Sequence, residues 1–424
     1  MRFRDFHKNI KIRIIETFMS RFIGSMIFPF MSIYLAVHFG AKVAGLLLLI
    51  NVFVGIGINF LGGYFADQFG RKKIMLFAET LRFLAFLTMM VCNSPWFESA
   101  PITFSMMTIN SICWGLAGPA NQAMMIDVST PPQRKLMYSI TYWANNLSIA
   151  IGGIIGAFLF KDYLFELFLA LSVASAAITA SLVAFFISES YAPVNSELTP
   201  SQHVKQLISN YGKVMHDKLF VLFTIAGILI LSMEFQLTNY IGIRLTEEMP
   251  SQQFLLWQID GVQTMGILRS ENTILVVILM LFVTRIPHSL QDKTVLVWSC
   301  FLFTVGYASL AYSNNLFILF LMMSILTIGE VFRVPVEQSY MAAIPPDDAR
   351  SSYMAFNGLK FNLSMLIASV TVTLGAILPS SIMAGIILAI GLVGTLILKI
   401  ISPELDRRKE GVELKQQADA AKVG

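Results

Sequence analysis

Apolar residues in this chain gather in long runs with few polar positions inside them, instead of alternating or lying along one helical stripe. Windows of about 20 residues, the length at which a helix crosses a bilayer core, give twelve predicted spans. They lie near 12–37, 43–66, 73–93, 101–126, 136–160, 164–188, 218–242, 270–286, 293–312, 316–341, 352–378 and 381–401. A barrel strand would alternate over about ten residues, and no such pattern occurs. The first run, from Ile12, is too long for a cleaved signal and reads as a span. Most connections are short; the long ones are 189–217 and 243–269. The pattern predicts an all-α integral membrane protein.

Composition fits. Of 424 residues 56% are hydrophobic and 13% charged, against about a quarter charged in a soluble domain. A soluble enzyme and a secreted disulfide scaffold are both excluded. Cys92, Cys113 and Cys300 fall inside spans without metal-ligand spacing and read as packing residues. No nucleophile–base pair or metal cluster appears, so neither an enzyme nor a cofactor is expected. With the N-terminus inside, 22 of the 30 Lys and Arg fall on the cytoplasmic side and four (Lys42, Lys161, Arg244 and Arg269) outside. Arg21, Arg82, Arg333 and Lys360 lie within spans. This bias puts both termini of a multi-pass plasma-membrane protein in the cytoplasm. The net charge of +4 follows from it and does not indicate nucleic-acid binding.

An internal repeat organises the spans. Shifted by 216 positions, residues 104–148 match 320–364 at 12 of 45 positions without gaps, among them Pro119/Pro335, Gln122/Gln338, Arg134/Arg350 and Asn146-Leu147-Ser148/Asn362-Leu363-Ser364. Two pseudo-symmetric six-helix bundles follow, at 1–188 and 218–401, with a cytoplasmic central loop at 189–217 and a tail at 402–424. Such duplications favour a central cavity with alternating access. On span five, Ala144, Ser148, Gly152 and Gly156 form a small-residue ridge for close helix packing.

Between spans two and three the chain reads Gly62-Gly63-Tyr64-Phe65-Ala66-Asp67-Gln68-Phe69-Gly70-Arg71-Lys72-Lys73. This resembles the signature loop of the major facilitator superfamily. The resemblance implies a gating role for Gly63, Asp67, Gly70, Arg71, Lys72 and Asp127. In it, Asp67 faces the start of span eleven near Arg350–Ser352, and Arg71 pairs with Asp127. The matching segment of the second half, Arg285–Lys293, lacks the pattern.

A charge at mid-bilayer costs about 2.5–3.5 kcal/mol on insertion scales, so each one inside a span asks for a function. In this superfamily spans one, four, seven and ten line the cavity. Span ten carries Glu330, Arg333 and Glu337 at i, i+3 and i+7, on one helical face. Glu330 lies roughly 14 residues from the outer end, near the midplane. A carboxyl there could load and unload a proton with small changes in solvation, or form a static pair with Arg333. Glu234 on span seven is a second acidic site or an interface residue. Glu16 on span one completes the proton-coupling candidates. Arg21 is expected to pair with a cavity carboxylate, and Glu79 with Arg82 as a structural pair. Tyr142, Asn146, Gln236 and Asn239 are the remaining polar groups assigned to the cavity. All five histidines lie in loops or at interfaces, so proton coupling must run on carboxylates.

Gly63–Lys72, Met125-Ile126-Asp127, Tyr142–Ser148, Gly329-Glu330 with Pro335 and the long loop after span seven are similar to the LmrP-type multidrug/proton antiporters of Gram-positive bacteria. The resemblance implies proton-driven efflux of lipophilic, often cationic, drugs, with Asp67, Asp127 and Glu330 carried over. The chain departs from that pattern at Thr141 and at Ser148-Ile149, where an acid and Gly-Pro stand in relatives. Its partners would be a small-molecule substrate, protons and lipids, with the monomer as functional unit. Arg21-Phe22 and Gly329-Glu330 also resemble proton-dependent oligopeptide transporters, which keeps a dedicated solute as the alternative. A non-transporting receptor or assembly factor would need a large extramembrane domain, and neither long loop is big enough.

Overall fold

The computed structural model describes residues 8–127, 131–184, 202, 212, 214–254, 257–283, 291–345 and 350–423. These form helices α1 (Lys8–Ile27), α2 (Met31–Phe39), α3 (Ala41–Phe69), α4 (Arg71–Val91), α5 (Ala100–Asp127), α6 (Pro131–Leu159) and α7 (Leu164–Ala184). Then follow α8 (Lys218–Gln236), α9 (Gly242–Glu248), α10 (Gly261–Val283), α11 (Asp292–Leu310), α12 (Leu316–Ala343), α13 (Arg350–Gly375) and α14 (Ser380–Val423). Two small antiparallel hairpins pair Asn93–Ser94 with Phe97–Glu98 and Gln252–Phe254 with Trp257–Ile259. Among the described residues, nine helical stretches are long and apolar enough to cross a membrane, and 143–159 and 164–179 are shorter apolar helices.

Several boundaries differ from the hydropathy reading. Pro29 sits in a 3-10 turn, Phe28–Phe30, that joins α1 to α2, because a proline cannot donate the next helical hydrogen bond. Span seven continues past 242: a π-turn at Leu237–Ile241 leads into α9. Span eight begins at Gly261, so Arg269 and Glu271 lie within the helix and not at its start. Gly70 takes φ +91° between α3 and α4, a conformation open to glycine and costly for other residues.

The chain divides into two compact units, Met1–Lys205 with Val262–Thr273, and Gln206–Gly261 with Ile274–Gly424. In the first, the small-residue ridge of α6 packs on α1. A Cβ at Gly156 would lie 2.3 Å from Met26 O, and one at Gly152 would lie 2.5 Å from Phe22 O. Two serines stitch the contact: Ser25 Oγ donates to Ser148 O at 2.8 Å, and Ser148 Oγ to Phe18 O at 3.2 Å. The start of α10 joins this unit, with Ser270 Oγ donating to Ala150 O at 2.8 Å.

The second unit repeats the motif. Ser364, the repeat partner of Ser148, donates from α13 to Ile228 O on α8 at 2.9 Å. Its two ends are tied by charges. At one, Arg244 is buried and donates to Leu310 O (3.0 Å), Ser313 O (2.6 Å), Tyr312 O (3.2 Å) and Asn314 Oδ1 (2.7 Å). A guanidinium thus satisfies the carbonyls left free where α11 ends. The hydropathy reading placed Arg244 in an external loop; the extension of span seven carries it inside the fold.

At the other end α14 runs on beyond the predicted span, through Pro403. Arg408 donates to both oxygens of Asp217 (2.7 and 3.0 Å) and Lys409 to Asp292 (2.6 Å), while Tyr340 Oη donates to Asp406. Asp217 also caps α8 by accepting from Phe220 N at 3.2 Å, and accepts from Tyr353 Oη at 3.2 Å. Residues 406–409, read as part of a cytoplasmic tail, therefore hold the ends of α8, α11 and α12 together, and reach α13 through Asp217.

Two outcomes follow. Gly156→Leu should cost about 1–3 kcal/mol through overpacking, seen as a lower melting temperature in detergent. Gly57→Ala, whose added Cβ meets nothing within 4 Å, should be neutral or stabilising. For Asp217, burial opposes ionisation, but the hydrogen bonds from Arg408 and the Phe220 amide outweigh it and hold the carboxyl below the usual aspartate value of 3.8. Its contribution is then fully present above that value and lost as pH falls below it. Asp217→Asn should melt lower than wild type at neutral pH, with the gap closing on acidification toward pH 3. A gap that stays constant with pH would count against this role.

Candidate functional site

The second unit gathers the intramembrane charges predicted on span ten. Arg333 is buried on α12, and its Nη1 donates to Glu337 Oε2 at 2.6 Å, one turn along the same helix. Lys360 Nζ, from α13, donates to the other oxygen, Glu337 Oε1. Both oxygens of Glu337 therefore hold a cation. The Arg333 guanidinium also lies 4.8 Å over the ring of Phe303 on α11, a further stabilising contact for a cation out of water. Glu330, half-buried on α12, and Glu234, exposed on α8 among buried neighbours, both lie within electrostatic range of Arg333. Span ten thus carries a static ion pair, Arg333 with Glu337.

Lys360 was absent from the candidates because its partner is 23 residues away on another helix. One sequence signal was available: it is a lysine inside a span, with Gly227 on span seven to make room for it. A Cβ at Gly227 would stand 2.9 Å from Lys360 Cε and 3.0 Å from its Nζ. Further along the same two helices, Gln236 is buried and accepts from Thr371 Oγ1 at 2.7 Å, and Asn239 donates to Phe235 O at 2.7 Å. The Gln236–Thr371 bond braces α8 against α13, while Asn239 stays within its own helix.

The first unit solves the same problem with other chemistry. Arg82 Nη1 donates to both oxygens of Glu79 at 2.9 Å, with both residues buried. The indole of Trp114, on α5, receives Arg82 at 4.7 Å and Arg21 at 5.6 Å. Arg21 was expected to pair with a carboxylate; among the described residues its partner is this aromatic face. The 216-residue repeat sets Trp114 opposite Glu330. One half offers cations a π-face at that position, and the other offers a carboxylate.

Other predicted positions are only partly visible. Asn146 is half-buried on α6, and Lys72 half-buried at the start of α4. Gly70 makes the turn described above. Glu16, Gly63, Asp67, Arg71, Asp127 and Tyr142 lie outside the residues whose side chains are described. Among the described residues, no three His, Cys, Asp or Glu side chains come together as a metal site.

Comparison with known proteins places this architecture. The family model for the Major Facilitator Superfamily matches residues 14–369. The "Na(+), Li(+), K(+)/H(+) antiporter" of Planococcus maritimus is 31% identical over 388 residues, covering 89% of this chain and 91% of the relative. The "Multidrug resistance protein MdtH" of Shigella flexneri is 26% identical over 348 residues, covering 79% of this chain and 78% of the relative. Among solved structures, a POT peptide transporter in complex with alafosfalin superposes with a TM-score of 0.76 over 96% of this chain and 97% of its own, at 16% identity. That likeness is one of fold. The chain is a multi-pass membrane transporter, not an enzyme, and belongs to the major facilitator superfamily.

Proposed function

We propose that this transporter is a proton-coupled antiporter that exports cations, with the acids of the second unit serving both proton and cargo. The observation that carries the reading is the repeat position shared by Trp114 and Glu330. Each lies close to buried guanidinium chemistry, but an indole cannot take up a proton and a carboxylate can. Duplication has thus left one half with a fixed cation partner and the other with a titratable one. Glu337 holds a cation at each oxygen, and we assign the exchange to Glu330, with Glu234 on α8 as the second acid.

Inorganic monovalent cations are the favoured cargo, because the relative with 31% identity over 89% of the chain is named for exchange of sodium, lithium and potassium against protons. The second reading, efflux of lipophilic cationic drugs, is favoured by the MdtH relatives and by the span-ten motif. Both need an acid in the membrane that trades a proton for a positive charge. We further propose twelve spans with both termini cytoplasmic, on the strength of the Lys and Arg bias, and a gate at the Gly63–Lys72 loop.

The test uses everted membrane vesicles acidified inside by respiration, with a fluorescent proton-gradient probe. Adding sodium, lithium or potassium salts should collapse the gradient in wild type. Glu330→Gln should abolish the response while the protein still inserts at normal levels. An unchanged response in Glu330→Gln would remove that residue from coupling. A wild type that ignores all three salts but extrudes a lipophilic cationic dye would transfer the function to drugs. In the same assay Glu337→Gln should lower protein yield and melting temperature, because removing one partner of a buried ion pair costs about 3–5 kcal/mol.

A further inference from the structure

His38 stands in the last turn of α2, just before Gly40 takes φ +78° and ends the helix. Both of its ring nitrogens are engaged. Nδ1 lies 2.8 Å from Tyr34 O, and Nε2 lies 3.0 Å from Glu98 Oε1. A backbone carbonyl and a carboxylate only accept hydrogen bonds, and a neutral imidazole has one N–H to give. Either neutral tautomer therefore sets a ring lone pair against an oxygen. Only the imidazolium satisfies both contacts, and a cation in the last turn of a helix is favoured in its own right.

Glu98 sits on a fixed frame. Its strand pairs with Asn93–Ser94, and Asn93 Nδ2 donates to Met89 O on α4 at 2.7 Å and to Thr103 Oγ1 on α5 at 3.0 Å. His38 belongs to a jointed segment, since α2 is bounded by the 3-10 turn Phe28–Phe30 and by Gly40. The pair thus straps the end of span one to the connection between spans three and four. The side chains of His38 and Glu98 are 26% and 69% exposed, so protons reach them from water. Few other titratable groups stand at this end. The buried Tyr34 ring lies 4.1 Å from the imidazole. α2 packs on α3, which brings the exposed Lys42, and on α5, which has no acid in its first turn. α4 ends at the buried thiol of Cys92. Lys161, Asp162 and Glu166 belong to the α6–α7 connection, which meets the hairpin where Phe165 packs on Trp96.

We infer that His38 and Glu98 form a regulatory proton site, a latch that protonation closes and alkali opens. On the proposed orientation it faces outward. Histidine is the side chain whose charge changes between about pH 5 and 8, so the strap responds to ordinary external pH. Its use rests on the antiport reading above. Each exported cation admits a proton, and acid outside drives that exchange hardest. The latch closes under the same condition, holds α2 against the hairpin and slows the cycle.

The site is tested in purified full-length protein with spin labels on Val37→Cys and Phe97→Cys, exposed positions beside the pair; the native cysteines are buried. Dipolar broadening should be strong at about pH 5.5 and fall by about pH 8. His38→Arg, a permanent cation, should keep it at both values, and His38→Gln should lack it at both. The regulatory role is tested in everted vesicles, whose lumen is the outer side, as uptake of radioactive sodium at a fixed proton gradient. With the lumen at the lower pH, His38→Gln should run about two- to fivefold faster than wild type, the factor an exposed ion pair can supply. At the higher pH it should match wild type, and His38→Arg should be slower by a similar factor.

Broadening in wild type that ignores pH, or that His38→Arg loses, overturns the proton site. Labels that respond while both variants carry sodium like wild type overturn the regulatory role. A wild type that moves no sodium while its labels respond removes the antiport reading and supports the proton site. Should a variant fail to insert, the labels on wild type decide the site by themselves.

Discussion

The fold is governed by the cost of leaving a charge without compensation in hydrocarbon. Three arginines are buried among the described residues, and each is handled differently. Arg82 takes the carboxylate of Glu79 and the face of Trp114. Arg244 takes main-chain carbonyls at the end of α11. Arg333 takes Glu337, which must then be shared with Lys360. The first two arrangements are closed. They satisfy a helix end or a neighbour and leave nothing to exchange. The third brings a second cation and further acids to the same place, and there a local solution to burial becomes a possible mechanism.

The 216-residue repeat joins two units that share a packing contact and differ in their chemistry. Packing depends on close backbone approach, which the serine contacts preserve: Ser148 reaches Phe18 O on α1 and Ser364 reaches Ile228 O on α8. Those bonds use main-chain acceptors, so they survive wide drift in the neighbouring side chains. Charged positions carry no such constraint, provided each remains compensated. An aromatic face and a carboxylate both meet that requirement, which is why Trp114 and Glu330 can share a register position.

Most of the helical frame was legible in the sequence because long apolar runs have one solution in a bilayer, with every backbone group bonded inside a helix. The small-residue ridge of α6 was legible for a related reason, since periodic Gly and Ser have few uses other than close approach. Tertiary partners were harder to read. Lys360 meets Glu337 from another helix, and nothing local marks the pair. Arg21 was assigned an acid because opposite charge is the obvious partner; among the described residues it meets the π-face of Trp114. Arg244 looked external because the apolar window closed before the π-turn carried the helix onward. Residues 406–409 looked like part of a cytoplasmic tail because a basic run usually is one, while their partners lie scattered at the ends of three helices.

Burial also divides labour among the acids of the second unit. Glu337 is bound at both oxygens, so protonating it would strand Arg333 and loosen Lys360 from Gly227 together. Its ionised state is part of the structure. Under the proposed antiport the proton that comes and goes belongs on a different acid, and Glu330, three residues from Arg333 on the same helix, is the one assigned. A mobile proton and a fixed ion pair are then kept on separate side chains, so that loading the first leaves the second intact.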